Sequence, residues 1–326
     1  MISVVVPAFN ASGTLGTALE TLMAQTYPDW EAVVVDDGSR DSTAAVIAAF
    51  QVRDRRVRSQ AHPGGENRGT AASRNLGVRE AHGGAVAFLD ADDELLPEAL
   101  ASYVEVLERH PSVGVIYGQA ESFGDGPLRV VGRGQPGGPW GMLRQLARFN
   151  VVITSATAAR REALGGEPFP VGLSYQFEDW ACWLELSRHW PFFFLPRVLS
   201  RYRVHGEGFT ARMERAGESP LYEVAQALQL RRALGDGSGH ERDALHRGLV
   251  FRGATALLKG FAAARHGRWS QARPWLSAGL AITSPALLPR AIARCVVERR
   301  RISRRVDPPL TLTPPPSPAQ GAVQVR

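Results

Sequence analysis

Three short runs govern what this chain can fold into: ISVVV at 2–6, EAVVV at 31–35 and AVAFL at 85–89. Each is almost wholly apolar and rich in β-branched or aromatic side chains. A half-exposed strand would alternate polar and apolar residues. These do not, so they read as strands buried on both faces, as in a parallel sheet covered by helices. RVRSQ at 56–60 reads as a weaker fourth strand. Helical spacings lie between the runs. Leu15, Leu19, Leu22 and Met23 share one stripe, Asp41, Ser42 and Thr43 offer N-cap groups before AAVIAAF, and a helix is expected from about Thr70 to Ala81. Strand and helix in alternation predict an α/β fold with a mostly parallel central sheet.

In such a sheet, ligands bind beyond the carboxyl ends of the strands. The first run ends in Pro7, Ala8, Phe9 and Asn10, the second in Asp36, Asp37, Gly38 and Ser39, the third in Asp90, Ala91, Asp92 and Asp93. Three strands thus deliver polar groups to one edge. Crowded carboxylates repel and raise one another's pKa, and a divalent cation among them removes that cost. Asp90 and Asp92, at i and i+2, point the same way if the tail stays extended. Hard oxygen ligands suit Mg²⁺ or Mn²⁺. The plainer alternative is a strand end at which Asp93 starts a turn, and an isolated DxD would favour it.

The charge balance argues against a nucleic-acid partner. The chain carries +6, and residues 281–326, with eight arginines against two acids, hold the whole surplus. The rest is balanced. Lys259 is the sole lysine, which confines lysine chemistry to one place. Cys182 and Cys295 have no CxxC partner, so neither a disulfide framework nor a thiolate metal site is expected, and a reducing compartment is the default. MISVVVPAFN has no basic n-region, and no run approaches the ~18 apolar residues of a membrane span.

Six motifs follow one another: VVVPAFN, VVVDDGSRDST, NRGTAASRNLGV, VAFLDADD, FEDWACWLEL and YRVHGEGFT. Together they resemble the inverting family 2 glycosyltransferases, with the nucleotide-binding GT-A fold, from about Ile2 to about Arg212. The resemblance implies a nucleotide-diphosphate sugar donor, UDP-linked, with Mn²⁺ or Mg²⁺ as cofactor. It implies that Pro7, Ala8, Phe9 and Asn10 hold the base, with Phe9 near it. Asp37, with Asp36 beside it, would bond the base or ribose, and Arg74 would face the nucleotide. Asp90 and Ala91 would lie near the ribose and the metal, and Asp92 would be the metal ligand proper. His205 would ligate the metal or contact the diphosphate.

Inverting transfer also needs a base to take the acceptor hydroxyl's proton. Asp179, in FEDWACWLEL, occupies the family's position, with Trp183 and Leu186 burying one side of its helix. Without the resemblance, Glu178 and Asp179 would read as acids complementing a helix N-terminus, Arg74 as a helix-surface ion pair and His205 as structural. Glu178 stays open as the alternative base. Arg201 and Arg203 either contact phosphate or alternate along a strand. Tyr175 and Trp180 either stack on a sugar or belong to the core.

The expected division is a catalytic domain at 1–212, a helical region at 213–305 and a Pro-rich disordered tail at 306–326. A loop is expected at 132–141, then a helix from Gly141 to Phe149. Trp269, Ala272, Leu276 and Leu280 are expected to pair with Leu257, Phe261 and Ala264 in a helical hairpin. In 284–305, a stripe of Leu288, Ile292, Cys295 and Val296 lies among Arg290, Arg294 and Arg299 to Arg301. That pattern reads either as a helix docking on anionic membrane or as a packed terminal helix with a solvated basic face. The expected setting is cytoplasmic, at the inner face of a membrane, with a glycan or lipid-linked acceptor from surface polysaccharide synthesis. Two other readings compete with this one. A sugar nucleotidyltransferase would need a Lys-bearing glycine loop, and PAFNASGTLG has no lysine. A protein that binds donor without catalysis would not need both Asp92 and Asp179.

Overall fold

The structure is a computed structural model that describes residues 1–132, 134, 139–173, 177–206, 215–216 and 218–282. Tyr175, residues 284–305 and the tail from 306 onwards lie outside the described residues.

Strands β1 (Ile2–Ala8) and β2 (Trp30–Asp36) pair in parallel along their full lengths. β3 (Val57–Ala61) joins β2, and β4 (Ala85–Phe88) joins the other flank of β1, both in parallel. Every residue of β1 and β4 is buried, as the unbroken apolar runs predict. Each such valine, isoleucine or phenylalanine contributes about 1.5–3 kcal/mol by leaving water. Helices α1 (Leu15–Met23), α2 (Thr43–Arg53) and α3 (Thr70–Glu80) cover this wing. Leu15, Leu19 and Leu22 of α1 are fully buried. Gly77 of α3 lies so close to Val5 that no Cβ would fit, which lets this helix lie directly on β1.

The second wing reverses direction. Its elements are β5 (Glu94–Leu95), α4 (Ala99–Arg109), β6 (Val115–Gly124), β7 (Val130–Val131), α5 (Pro139–Leu146), β8 (Thr157–Arg160), α6 (Arg161–Leu164), α7 (Glu178–His189) and β9 (Phe192–Val204). β8 runs antiparallel between β4 and β6, while β9 is parallel to β6 and antiparallel to β5. The order is β3-β2-β1-β4-β8-β6-β9-β5, with β7 on β6. Most paired residues still lie in parallel registers, so the α/β, mostly parallel expectation holds.

Helices α8 (Ser219–Asp236), α9 (Gly239–Arg265) and α10 (Trp269–Ile282) follow. Ala227, Leu230, Leu245, Leu249 and Ile282 share one core with Met142 and Leu146 of α5 and Trp180 and Trp183 of α7. Arg252, 4% exposed, staples them together. Its Nε donates to Ala147 O at 2.9 Å, its Nη1 donates to Gln226 Oε1 and Glu223 Oε2, and its guanidinium lies over the Trp180 ring. These contacts, with Glu223 as the paired carboxylate, offset much of the cost of burying the charge, although Nη2 has no hydrogen-bond partner among the described residues.

The expected helical hairpin forms, and part of the expected stripe makes it: Ala272 and Leu257 are buried, and Leu276 packs on Gly260. Phe261, Trp269 and Leu280 instead face outward, 54%, 58% and 58% exposed. Buried Ala278, and Gly279 against Leu257, complete the seam. The separation of packed helices is set by the side chains at the contact, and here small residues draw them close. Among the described residues, no helix is long and apolar enough to cross a membrane.

Candidate active site

A cavity of about 1060 Å³ opens at the carboxyl ends of β1, β2 and β4. Pro7, Ala8, Phe9, Asn10, Asp37, Arg74, Asp90, Ala91, Asp92, Asp179 and His205 all line it. Of the residues expected in the site, Asp36 alone is not in its wall. Its Oδ1 accepts the Ser39 N–H at 2.9 Å and closes its own turn.

The loops that follow β1 and β2 are clasped together. Asn10 Oδ1 accepts the Arg40 N–H at 2.8 Å, and Ser39 Oγ accepts the Asn10 N–H at 3.0 Å. Asn10 takes φ 49°, a left-handed conformation that asparagine tolerates better than most residues. Asp41 accepts the N–H groups of Ser12 and Thr43 and the Thr43 hydroxyl, which ties the first loop to the start of α2; Ser42, at the N-cap itself, makes no side-chain cap bond. The Thr43 and Ser12 side chains first, then these N–H groups, hold its carboxyl well below the usual range. Phe9 remains 48% exposed at the rim, with its ring available to a ligand.

Asp37 is 3% exposed, and both its oxygens are engaged: Oδ1 accepts the Arg68 N–H at 2.7 Å and Oδ2 the Gly69 N–H at 2.9 Å. It pins the loop that leads into α3. Gly38 (φ +74°) makes room for that loop, since a Cβ there would meet Gly65 O at 2.6 Å.

The Asp90–Asp93 stretch is a turn, not the extended tail that the i, i+2 argument assumed. The Asp93 N–H donates to Asp90 O at 3.0 Å. The carboxylates therefore meet different partners. Asp90 Oδ1 accepts from Arg74, and Asp92 Oδ2 lies 3.2 Å from His205 Nε2. Asp93, 1% exposed, accepts the Arg203 N–H at 2.9 Å and hangs the end of β9 from the loop. Burial first, and Asp90 second, push the Asp92 carboxyl up; the same causes push Asp93 up further. Arg203 Nε donates to Asp92 O, and Arg201 pairs with Glu94, so both arginines have partners within the protein.

Among the described residues no three His, Cys, Asp or Glu groups converge as a metal site. Asp92 and His205 supply two donors side by side in the cavity wall. Mg²⁺ and Mn²⁺ commonly take one or two protein ligands and complete their shell with substrate phosphates and water. The crowded, upward-shifted carboxylates fit a cation that arrives with a diphosphate.

Opposite this turn stands the start of α7. Asp179 Oδ2 accepts from Asn150 Nδ2 at 3.1 Å and Thr154 Oγ1 at 3.3 Å, and Oδ1 accepts the Trp180 N–H at 2.6 Å. Burial first, then the neighbouring Glu178 charge, push its carboxyl up to about 6. That suits a group which accepts a proton near neutral pH. Glu178 also lines the cavity, but its Oε1 accepts from Arg74 Nη1 at 2.9 Å. Trp180 is core: it is fully buried, and its Nε1 donates to Leu146 O. Trp183 and Leu186 are buried, as their spacing predicts.

Sequence reasoning missed Asn150, Thr154, Ser155 and Tyr222 in the cavity wall. Thr154 and Ser155 interrupt the apolar run VVITSATAA, which is a faint signal. Tyr222 comes from α8, its OH accepts from Gln226 Nε2 at 3.0 Å, and its ring meets Phe177 edge-on. Burial, then Asp179, push its phenol well above the usual range, so it stays protonated.

The model of the family described as "Glycosyl transferase family 2" matches residues 3–164. WfgD of Escherichia coli, named a UDP-Glc:alpha-D-GlcNAc-diphosphoundecaprenol beta-1,3-glucosyltransferase, is 29% identical over 121 residues, 37% of this chain and 46% of that protein. The chain spans about two fifths to two thirds of the length of the curated relatives it first matches. Among solved structures, Staphylococcus aureus TarS 1–349 in complex with UDP-GlcNAc superposes with a TM-score of 0.62 at 19% identity, covering 93% of this chain and 90% of that one. The mannosyltransferase PcManGT of Pyrobaculum calidifontis, in complex with GDP-Man and Mn²⁺, gives 0.56 at 22% identity, covering 93% and 82%. Through residues 3–164, and on a GT-A fold that its solved neighbours share, this chain belongs to glycosyltransferase family 2.

Proposed function

We propose that the chain transfers a hexosyl group from a UDP-linked sugar to a hydroxyl of a glycan or lipid-linked acceptor, with inversion at the anomeric carbon. The observation that carries this reading is the pair of unlike acidic ends in one cavity. One end, Asp90 to Asp93, is crowded and short of cations. The other presents Asp179, oriented by Asn150 and Thr154, with a proton affinity set near neutral. The Pro7–Asn10 turn binds the base, with Phe9 against its face. Asp92 and His205 hold the divalent cation. When bound, Mn²⁺ or Mg²⁺ offsets charge on the leaving diphosphate. Asp179 takes the acceptor O–H proton as that oxygen bonds to the anomeric carbon. The bond from that carbon to the phosphate oxygen breaks, and its electron pair leaves with UDP.

The E. coli relative, named for a lipid-diphosphate acceptor, supports a lipid-linked acceptor in surface polysaccharide synthesis. The charge surplus after residue 280 supports peripheral contact with anionic membrane through 284–305. The chain should pellet with anionic vesicles at low salt, and a chain ending at Thr283 should stay in solution. Thermal shift with UDP, UDP-GlcNAc, UDP-glucose and GDP-mannose, each with and without Mn²⁺, tests the donor. A UDP-sugar with Mn²⁺ at ~100 times its Kd should stabilise the fold by about 2.7 kcal/mol. Stabilisation by GDP-mannose alone would overturn the UDP assignment. The product's anomeric configuration, opposite to the donor's, tests inversion.

A further inference from the structure

Arg74 stands where acids from two different elements would otherwise face each other across the cavity. It is 4% exposed. Nη1 donates to Glu178 Oε1 at 2.9 Å and Nη2 donates to Asp90 Oδ1 at 2.7 Å. The Phe169 ring lies 5.5 Å from the guanidinium carbon and closes another side, and Nε has no hydrogen-bond partner among the described residues. An arginine held this way cannot turn to a phosphate without leaving two carboxylates unpaired in a poorly solvated place. Its geometry suits the acids better than the donor.

Glu178 and Asp179 are adjacent in sequence, yet their bonds diverge. Glu178 reaches towards α3 and Arg74. Asp179 reaches towards Asn150 and Thr154 and carries no arginine bond. The charged or titratable groups facing Asp179 are Glu178 and Cys182 on its own helix, Arg74 on α3, Asp90 on its turn and Tyr222 on α8. Arg74 is the only cation in that set.

We propose that Arg74 is a positioning residue that decides which of the two neighbouring acids accepts the proton: by pairing with Glu178 it removes that carboxylate from competition and leaves Asp179 facing the acceptor. The inference rests on Asp179 being the base. Two adjacent acids without a cation would share their repulsion, and their protons would belong to the pair rather than to either residue. With Arg74 between α3 and α7 the pair is split by geometry. Arg74 also partly offsets the upward push on Asp179, so it keeps that carboxylate ionised at neutral pH.

The test needs no substrate. Carboxyl-carbon NMR of the full chain, labelled at aspartate and assigned by the peak lost in Asp179→Asn, follows the titration of Asp179. Wild type should titrate near pH 6. Arg74→Met should move the midpoint up by about 1 pH unit or more. Glu178→Gln, which keeps an oxygen for Arg74 but removes the negative charge, should move it down. Shifts of opposite sign are what the proposal requires, and a merely structural loosening would not produce them. No shift in either variant, or shifts in the same direction, would overturn it. If Arg74→Met fails to fold, the near-isosteric Glu178→Gln decides alone: a downward shift supports the proposal, and any other result defeats it. Because the measurement reads a titration and not transfer, it can fail while the proposed activity stands, and the reverse.

Discussion

The two acidic ends of the cavity share a residue type and little else. At the Asp90–Asp93 turn three carboxylates crowd into four positions, and the side chains that reach two of them are His205, at Asp92, and one arm of Arg74, at Asp90. At the start of α7 two carboxylates stand together, and one of them has the other arm of Arg74 to itself. The first cluster is left with negative charge that only something arriving from outside can offset. The second is neutralised from within except for one acid, which burial then makes hungry for a proton. Under the proposed mechanism, clustered carboxylates serve metal binding or proton transfer according to how many cations the fold sets among them.

The sharpest way to break this comparison is to remove one acid from each end. Asp179→Asn should lower kcat by ~10²–10⁴, the usual contribution of a general base, with UDP affinity unchanged. A variant that keeps near-wild-type turnover would mean that α7 does not supply the base. Asp92→Asn should do the reverse. Calorimetric UDP binding in Mn²⁺ should weaken at least tenfold, about 1.4 kcal/mol, while binding without metal stays as it was. Equal loss with and without Mn²⁺ would remove Asp92 from the metal shell.

The smallest effect concerns stability. The folded-state pKa of Asp179, about 6, lies above the ordinary aspartate value of 3.8, so the folded protein binds a proton more readily than the unfolded chain. Ionised Asp179 therefore works against folding above about pH 6, and not once both states are protonated below the ordinary value. Asp179→Asn should have a higher Tm than wild type at pH 7.5, by about 1–3 °C, and the gap should close as pH falls through 6 towards 4. A gap that does not change with pH would contradict the buried, raised carboxylate. On the activity side, kcat of wild type should fall as pH drops through about 6.

What could be read from the chain follows from range. β1, β2 and β4 were legible because unbroken apolar runs are a local signal, and the residues that end them must arrive at one edge once the strands are parallel. Asp179 and His205 were legible only through the ordered motifs, since a lone acid or histidine says nothing of its neighbours. The partners were not legible. Arg74 meets Glu178 across 104 positions of chain, and no local pattern announces that pairing. Asp93 looked like a turn former because its buried bond to the Arg203 N–H spans 110 positions. The helical hairpin was half legible for a different reason. Spacing placed Leu257, Ala272 and Leu276 in the seam but could not show that Phe261, Trp269 and Leu280 face away, and Gly260 and Gly279 mark the packed side by lacking side chains.

The strand order is also an order in time. β3-β2-β1-β4 comes from the first 88 residues, whereas β8, the partner that covers the free flank of β4, begins only at Thr157. A ribosome adding about 5–20 residues per second needs several seconds to make that interval. For those seconds the fully apolar strand AVAF, once folded, offers an open edge to whatever strand is nearby, including the same segment on a neighbouring nascent chain. The strand that leads into the Asp90–Asp93 turn thus waits unpartnered on one side during synthesis. Crowded translation at high expression is therefore the condition under which this protein should aggregate, and slower synthesis at low temperature the condition that should recover it.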